Sequence, residues 1–419
     1  MYDRYPGYPP QGPPGYGGYG GNNNGYNSYN GYGGGNGGYD GYGGYPPQPP
    51  QQYSGYGYGD GQGQAYGGYG SSYDNNNYND HRSRNIEYNF EEASYAQRPD
   101  QSERAFDSSV NGYNYRYSDC SGNRKALLIG INYTGSSAQL KGCINDVENV
   151  KLFLLSHGYS EENMVILTDD QTNPRAIPTK QNMLDAMRWL VKDASPNDAL
   201  FFHFSGHGTQ QEDTNGDEVD GCDESIVPLD YEQNGMIVDD QMHDIMVGPL
   251  PEGCRLTALF DCCHSGSALD LPYTYSTKGL LKEPNVAEEA GQGLLEAVQS
   301  YMSGDTSSAM RSIFGAVKVI MSGGSKDEAY QKTKKTRTSP ADVIMLSGCK
   351  DDQTSADASI GGEATGAMSY AFMKVMNTGK QQSYLSLLRN TRQILEGEYS
   401  QKPQLSASHP LDVELKFVF

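Results

Sequence analysis

No isoleucine, leucine, valine, phenylalanine or tryptophan occurs in the first 85 residues of this 419-residue chain. A segment without such side chains cannot offset the conformational entropy of folding, about 1–2 kcal/mol per residue for the backbone alone. Residues 1–85 are therefore expected to be a disordered N-terminal region. Of the 52 glycines, 25 lie before position 71, and 23 of the 33 tyrosines lie before position 118, in units such as Gly-Tyr-Gly-Gly, Tyr-Pro-Pro-Gln and Asn-Asn-Asn. Alternating polar and aromatic residues with Gln and Asn read as a prion-like segment prone to self-association; an inert spacer is the alternative. A linker over 86–124 leads to a globular part over 125–419, long enough for one large domain with a sizeable core.

Charge divides the same way. Residues 1–85 carry three Arg and five Asp, so of the net charge of −21 almost all, −19, falls on residues 86–419. A strongly acidic folded domain argues against nucleic-acid binding, which draws most of its affinity from basic side chains, and suits cationic partners or cations. No run of 18 apolar residues is present and the N-terminus has no apolar signal segment, so no membrane association is expected and the cytosol and nucleus are the expected compartments. Seven cysteines, an odd number in a reducing compartment, predict thiols and not a disulfide framework.

From Lys125 the pattern alternates. Continuous apolar runs at 125–133, 164–167, 199–204, 255–260 and 341–346 read as strands buried on both faces, separated by helical spacing at 143–158 and 183–191, with further helices at 368–376 and 384–395. The expected class is α/β: a mainly parallel sheet with helices on both faces, a three-layer sandwich. Residues 271–340 break the rhythm and predict a long surface insertion between a larger part, 125–270, and a smaller part, 341–419. The strict alternation of Leu411 to Phe417 predicts a closing edge strand.

In an open α/β sheet ligands bind beyond the carboxyl ends of the strands. Two such ends carry reactive groups: Phe204 runs into Ser205-Gly-His207-Gly, and Phe260 into Asp261-Cys262-Cys263-His264-Ser-Gly. If the strands are neighbours, an imidazole and a thiol meet at one edge, as nucleophilic acyl transfer requires, with the flanking glycines letting backbone approach a peptide and cradle an oxyanion. The residues alone do not choose between Cys262 and Cys263. They also leave open a zinc site, since His203 and His207 are four apart and cysteines cluster. Asp213-x-Asn-x-Asp217 starts like a calcium-binding EF-hand loop, but Glu218 stands where that loop needs Gly.

Five segments taken together are similar to the metacaspases: Lys125-Ala-Leu-Leu-Ile-Gly-Ile-Asn-Tyr, Asn145-Asp146, Phe204-Ser-Gly-His-Gly-Thr-Gln, Asp261-x-Cys-His-Ser-Gly, and Ser347-Gly-Cys-Lys-Asp-Asp-Gln-Thr-Ser-Ala-Asp. The Gln/Gly/Tyr/Pro-rich N-terminus resembles the fungal, type I form. The resemblance implies a caspase-like fold, a monomer and a cysteine endopeptidase whose dyad is His207 and Cys263. It also implies a pocket of Asp146, Asp261 and Ser205 selecting Arg or Lys in protein substrates, and calcium held by Asp223, Asp239, Asp240 and Asp270. Such an enzyme can process itself at basic residues of its insertion, where Lys332, Lys334, Lys335 and Arg337 are candidates, with Arg116, Arg124 and Lys125 marking removal of the N-terminal region. The second reading is a quality-control factor that joins protein aggregates or chaperones through its tail, with proteolysis secondary. Deleting residues 1–80 separates the two. Hydrolysis of an Arg peptide should survive the deletion while recruitment to aggregates is lost; unchanged recruitment excludes the tail reading.

Overall fold

The computed structural model describes residues 88–106, 114–213, 218, 222–263, 265–282, 330–348, 357–360, 363–398 and 402–419. The tail over 1–85 lies outside them. Two short strands, β1 (Arg104–Ala105) and β2 (Asn114–Tyr115), precede the main run. That run comprises β3 (Arg124–Gly130), α1 (Cys143–Ser156), β4 (Met164–Thr168), α2 (Lys180–Val191), β5 (Ala199–Ser205), β6 (Gly208–Glu212), β7 (Cys222–Ile226), α3 (Tyr231–Asn234), β8 (Ile237–Val238), α4 (Asp239–Met246) and β9 (Arg255–Asp261). The chain continues with β10 (Tyr273–Tyr275), a helical stretch over 330–337, β11 (Asp342–Ser347), β12 (Asp357–Ile360), β13 (Glu363–Gly366), α5 (Ala367–Met376), α6 (Tyr384–Glu398) and β14 (Gln404–Ala407).

The central sheet has the order β10-β14-β11-β9-β5-β3-β4, with β4, β3, β5, β9 and β11 mutually parallel and β14 antiparallel to both its neighbours. Successive strand residues serve opposite faces. Ala126 and Leu128 of β3 and Leu259 of β9 pack with Val147, Val150 and Phe153 of α1 and Phe372 of α5 on one side. Leu127, Ile129, Phe202 and Phe260 pack with Met183 and Met187 of α2 and Met242 of α4 on the other. The expected three layers are thus present. Among the described residues no helix is long and apolar enough to cross a membrane.

Three expectations need correction. Residues 411–417 form no strand, although their alternation is real: Leu411, Val413 and Phe417 are buried while Asp412 and Glu414 are exposed. Asp412 closes a turn instead, its carboxylate accepting from Glu414 N–H at 3.1 Å and its carbonyl from Leu415 N–H at 3.2 Å. The sheet ends on β10, so the start of the segment expected to leave the core at 271 stays in it, with Leu271, Tyr273 and Tyr275 buried, while residues 283–329 of the expected insertion lie outside the described residues. The linker over 86–124 is, where described, part of the domain, because Phe90, Phe106, Tyr115 and Tyr117 join its core.

One buried ion pair crosses the sheet. Arg255 and Asp342, opposite each other at the start of β9 and β11, are both fully buried, with a guanidinium nitrogen 2.6 Å from the carboxylate. The same nitrogen lies 2.6 Å from the Tyr384 hydroxyl, and a second donates to the Val418 carbonyl. Ser118 N–H donates to Asp342 at 2.7 Å and the His409 ring lies 3.3 Å from it. Burial alone would raise the Asp342 carboxyl; the Arg255 charge and the His409 and Ser118 contacts outweigh it and hold the group down at about 2. Removing one partner of a buried pair strands the other. Asp342→Ala should therefore cost about 3–5 kcal/mol in urea unfolding. Because this carboxyl is depressed, its contribution is complete above the ordinary Asp value of 3.8 and is lost as pH falls toward about 2.

Candidate active site

Seven register pairs hold β5 against β9, the last being Ser205 with Asp261. His207 and Cys263 each follow two residues later, so the sheet delivers imidazole and thiol to one edge. The two loops touch through backbone: a Cβ on Gly208 would lie 2.0 Å from the Cys263 carbonyl oxygen, so only glycine fits after His207. The half-buried His207 ring packs on Tyr133 with centroids 4.6 Å apart, and its Nε2 lies 2.7 Å from the Ala138 carbonyl. Its backbone N–H donates to the Tyr133 hydroxyl at 3.0 Å, which donates to the Val227 carbonyl at 2.7 Å.

Cys262 and Cys263 diverge. Cys262 sits in the apolar cluster with Phe260, Ala268 and Leu269, and burial pushes its thiol well above the ordinary range, with the neighbouring Cys263 adding to the effect. Only a thiolate is a good nucleophile, so Cys262 is a packing residue. Cys263 is buried as well but keeps 8% of its surface exposed against 1% for Cys262, and neither cysteine is in a disulfide. His203 turns away from His207: it is fully buried, 2.9 Å from the Ser369 hydroxyl on α5, and burial lowers its ring to about 3. The two histidines do not converge as zinc ligands. His264 and residues 349–356 lie outside the described residues.

Beneath this edge lie two acids, Asp146 and Asp261. Asp146, on α1, does not cap its own helix: one oxygen accepts from Ser205 Oγ at 2.7 Å, the other from Thr365 Oγ1 at 2.5 Å and Gly366 N–H at 2.7 Å. Asp261 accepts from Ser369 N–H at 2.7 Å, in the first turn of α5. A Cβ on Gly366 would lie 2.2 Å from an oxygen of Asp261 and 2.6 Å from one of Asp146. All three predicted pocket residues, Asp146, Asp261 and Ser205, thus come together, whereas Thr365, Gly366 and Ser369 were not foreseen. Burial, and for Asp146 the charge of Asp261, raises both carboxyls above the usual range.

A second acidic group adjoins the same edge. His207 leads into the small sheet β6-β7-β8, where β7 carries Asp223 and Glu224; Asp239 and Asp240 open α4, and Asp270 closes the loop that follows Cys263. Glu224 N–H donates to Asp239 at 2.6 Å, and Ser267 Oγ donates to Glu224. Burial raises the Asp239 carboxyl, and the Asp223 charge raises it further. Among the described residues, carboxylate oxygens of Glu218, Asp239 and Asp270 lie within 4.8 Å of one another, a set of hard donors that suits a cation such as calcium. Of the four acids expected to hold calcium, Asp239 and Asp270 are in this set, while Asp223 and Asp240 are not; Glu218 was not foreseen there.

The processing candidates are ordered. Lys332, Lys334, Lys335 and Arg337 lie in the helical stretch 330–337, where Lys335 is exposed but Lys334 is buried, its Nζ 5.7 Å from the Tyr273 ring centroid. Arg337 reaches the acidic group, pairing with Asp240. Arg124 and Lys125 belong to β3, where Lys125 Nζ donates to the Lys192 carbonyl at 2.7 Å, and Arg116 lies 3.3 Å from Glu252.

Comparison with known proteins gives the arrangement its relatives. The family described as metacaspase, peptidase C14 domain, matches residues 124–272. Metacaspase-1 of Lodderomyces elongisporus is 60% identical over 327 residues, covering 77% of this chain and 72% of that protein. Metacaspase-1 of Candida albicans is 62% identical over 315 residues, covering 74% and 70%. The solved structure of caspase-1 from Spodoptera frugiperda overlays loosely, at 9% identity and a TM-score of 0.37, over 75% of this chain and 94% of that one.

The acid pair has a measurable signature. A raised carboxyl contributes stability that is complete below the ordinary Asp value of 3.8 and is lost as pH rises through the raised value. Asp146→Asn should therefore gain thermal stability relative to wild type as pH rises above that value; a relative loss would contradict the buried like-charge pair.

Proposed function

The chain belongs to the metacaspase family of cysteine peptidases, and from that premise we propose a calcium-stimulated endopeptidase that cuts after Arg or Lys and is made as a self-processing precursor. The observation that supports it best is the β5–β9 register, which sends His207 and Cys263 off one sheet edge above Asp146 and Asp261. Cys263 Sγ attacks the scissile carbonyl carbon, and His207 holds the thiol proton and returns it to the leaving amine. The His207 carbonyl accepts from Val227 N–H at 3.1 Å, which together with the Tyr133 bond fixes that turn.

Specificity comes from charge. The donors now on Asp146 and Asp261 are neutral hydroxyls and backbone N–H groups, and a guanidinium or ammonium makes charge-assisted bonds of roughly twice the strength. A basic side chain therefore competes favourably with them, and an acidic one is repelled. Asp223, Asp239, Asp240 and Asp270, joined by Glu218, would hold calcium. When bound, it supplies positive charge that ties β7, α4 and the loop after Cys263 together. The cytosol and nucleus, a monomeric state, and a part in cell death or proteostasis belong to this reading.

The deciding measurement compares peptides ending in Arg, Lys and Asp, with and without calcium. Cys263→Ala should abolish hydrolysis, His207→Ala should lower kcat by about 10²- to 10⁴-fold, and Cys262→Ala should remain active. Asp146→Asn should lower kcat/KM for Arg peptides by about 10- to 150-fold, the loss of one charge-assisted bond of about 1.5–3 kcal/mol. Cleavage of the Asp peptide, or activity in Cys263→Ala, would falsify the assignment. Activity indifferent to chelators would remove calcium alone.

A further inference from the structure

Arg337 ends the helical stretch 330–337 inside the acidic group. Its side chain is only 12% exposed. It pairs with Asp240 and lies 3.6 Å from both Asp244 and Asp270. Its backbone is held as well, the carbonyl accepting from the His243 ring at 3.1 Å. Two of these carboxylates, Asp240 and Asp270, belong to the set proposed for calcium, and Asp270 also converges with Asp239 and Glu218 within 4.8 Å.

We infer that the acidic group is a built guanidinium site whose resident ligand is Arg337, and that calcium and Arg337 compete for it. The inference rests on the calcium reading above. A guanidinium brings one charge and binds through its fork of N–H donors; calcium brings two charges and gathers six to eight oxygens. Both draw on Asp240 and Asp270, and two cations within one small site repel, so the carboxylates satisfy one at a time. Linkage makes the effect reciprocal: docking of Arg337 weakens calcium binding, and calcium expels Arg337.

Expulsion has a consequence for processing. A peptidase takes its substrate extended, whereas 330–337 is helical and anchored at Arg337 and at buried Lys334. While Arg337 is docked, the basic residues of this stretch are withheld from the active site. Calcium releases them. The ion thus acts on the substrate segment of the same chain as well as on the catalytic loops.

The test uses the full-length Cys263→Ala chain, which cannot process itself. Calcium affinity is measured by calorimetry, and accessibility of 330–337 by brief trypsin treatment with cut positions read by mass spectrometry. Arg337→Gln should bind calcium about tenfold more tightly, within the range typical of coupled ligands, and should be cut at Lys332, Lys334 or Lys335 without calcium. The chain with Arg337 intact should be cut there only when calcium is present. Asp244→Asn is the second variant, since Asp244 touches Arg337 but is not among the proposed calcium acids; it should shift affinity in the same direction by a smaller factor. Calcium binding equal in all three chains would overturn the competition while leaving the calcium reading intact. If none of them binds calcium, both fail together.

Discussion

Seven consecutive backbone pairs between β5 and β9 constrain everything the domain can do. Both strands are buried along their whole length, so their register is set by packing against both helical layers at once. A slip of one residue would turn every side chain to the opposite face. It would take Asp261 away from α5, carry Ser205 off Asp146, and separate the loops that meet where Gly208 touches the Cys263 carbonyl. The proposed nucleophile, base and pocket are therefore consequences of one alignment.

Three groups of carboxylates among the described residues differ in the partner they face. Asp342 faces a fixed cation, Arg255, and is structural: the pair is sealed and cannot exchange. Asp146 and Asp261 face neutral donors from β5, β13 and α5, which hold the carboxyls in place, and in the proposed function a visiting cation replaces those donors. Asp240 and Asp270 face Arg337, a cation carried on the segment proposed to leave when calcium binds. The net charge of −19 on residues 86–419 thus includes named acids with separate tasks.

Much of this was legible in the sequence because parallel strands buried on both faces leave continuous apolar runs, and the runs at 125–133, 199–204 and 255–260 each became a central strand. Their polar ends, Ser205-Gly-His207 and Asp261-Cys262-Cys263, marked the site for the same reason. What could not be read were pairings without an apolar signal. The small sheet β6-β7-β8 begins with Gly-Thr-Gln-Gln-Glu, which has no alternation to detect. Thr365 reaches Asp146 across 219 positions of sequence, and no local rule links them. Residues 411–417 showed the opposite failure: alternation records which side chains are buried, and a turn anchored on Asp412 buries the same ones as a strand would.

The buried Arg255–Asp342 pair joins residues that lie on either side of the segment carrying the processing candidates. So does the parallel pairing of β9 with β11, which runs over six register positions from Arg255–Asp342 to Phe260–Ser347. A cut after any residue from 332 to 337 would therefore sever the covalent chain without separating its two parts. The fragments would share one sheet and one ion pair that neither could satisfy alone, so cleavage changes the chain's connectivity and the freedom of its new ends while the enzyme remains a single body.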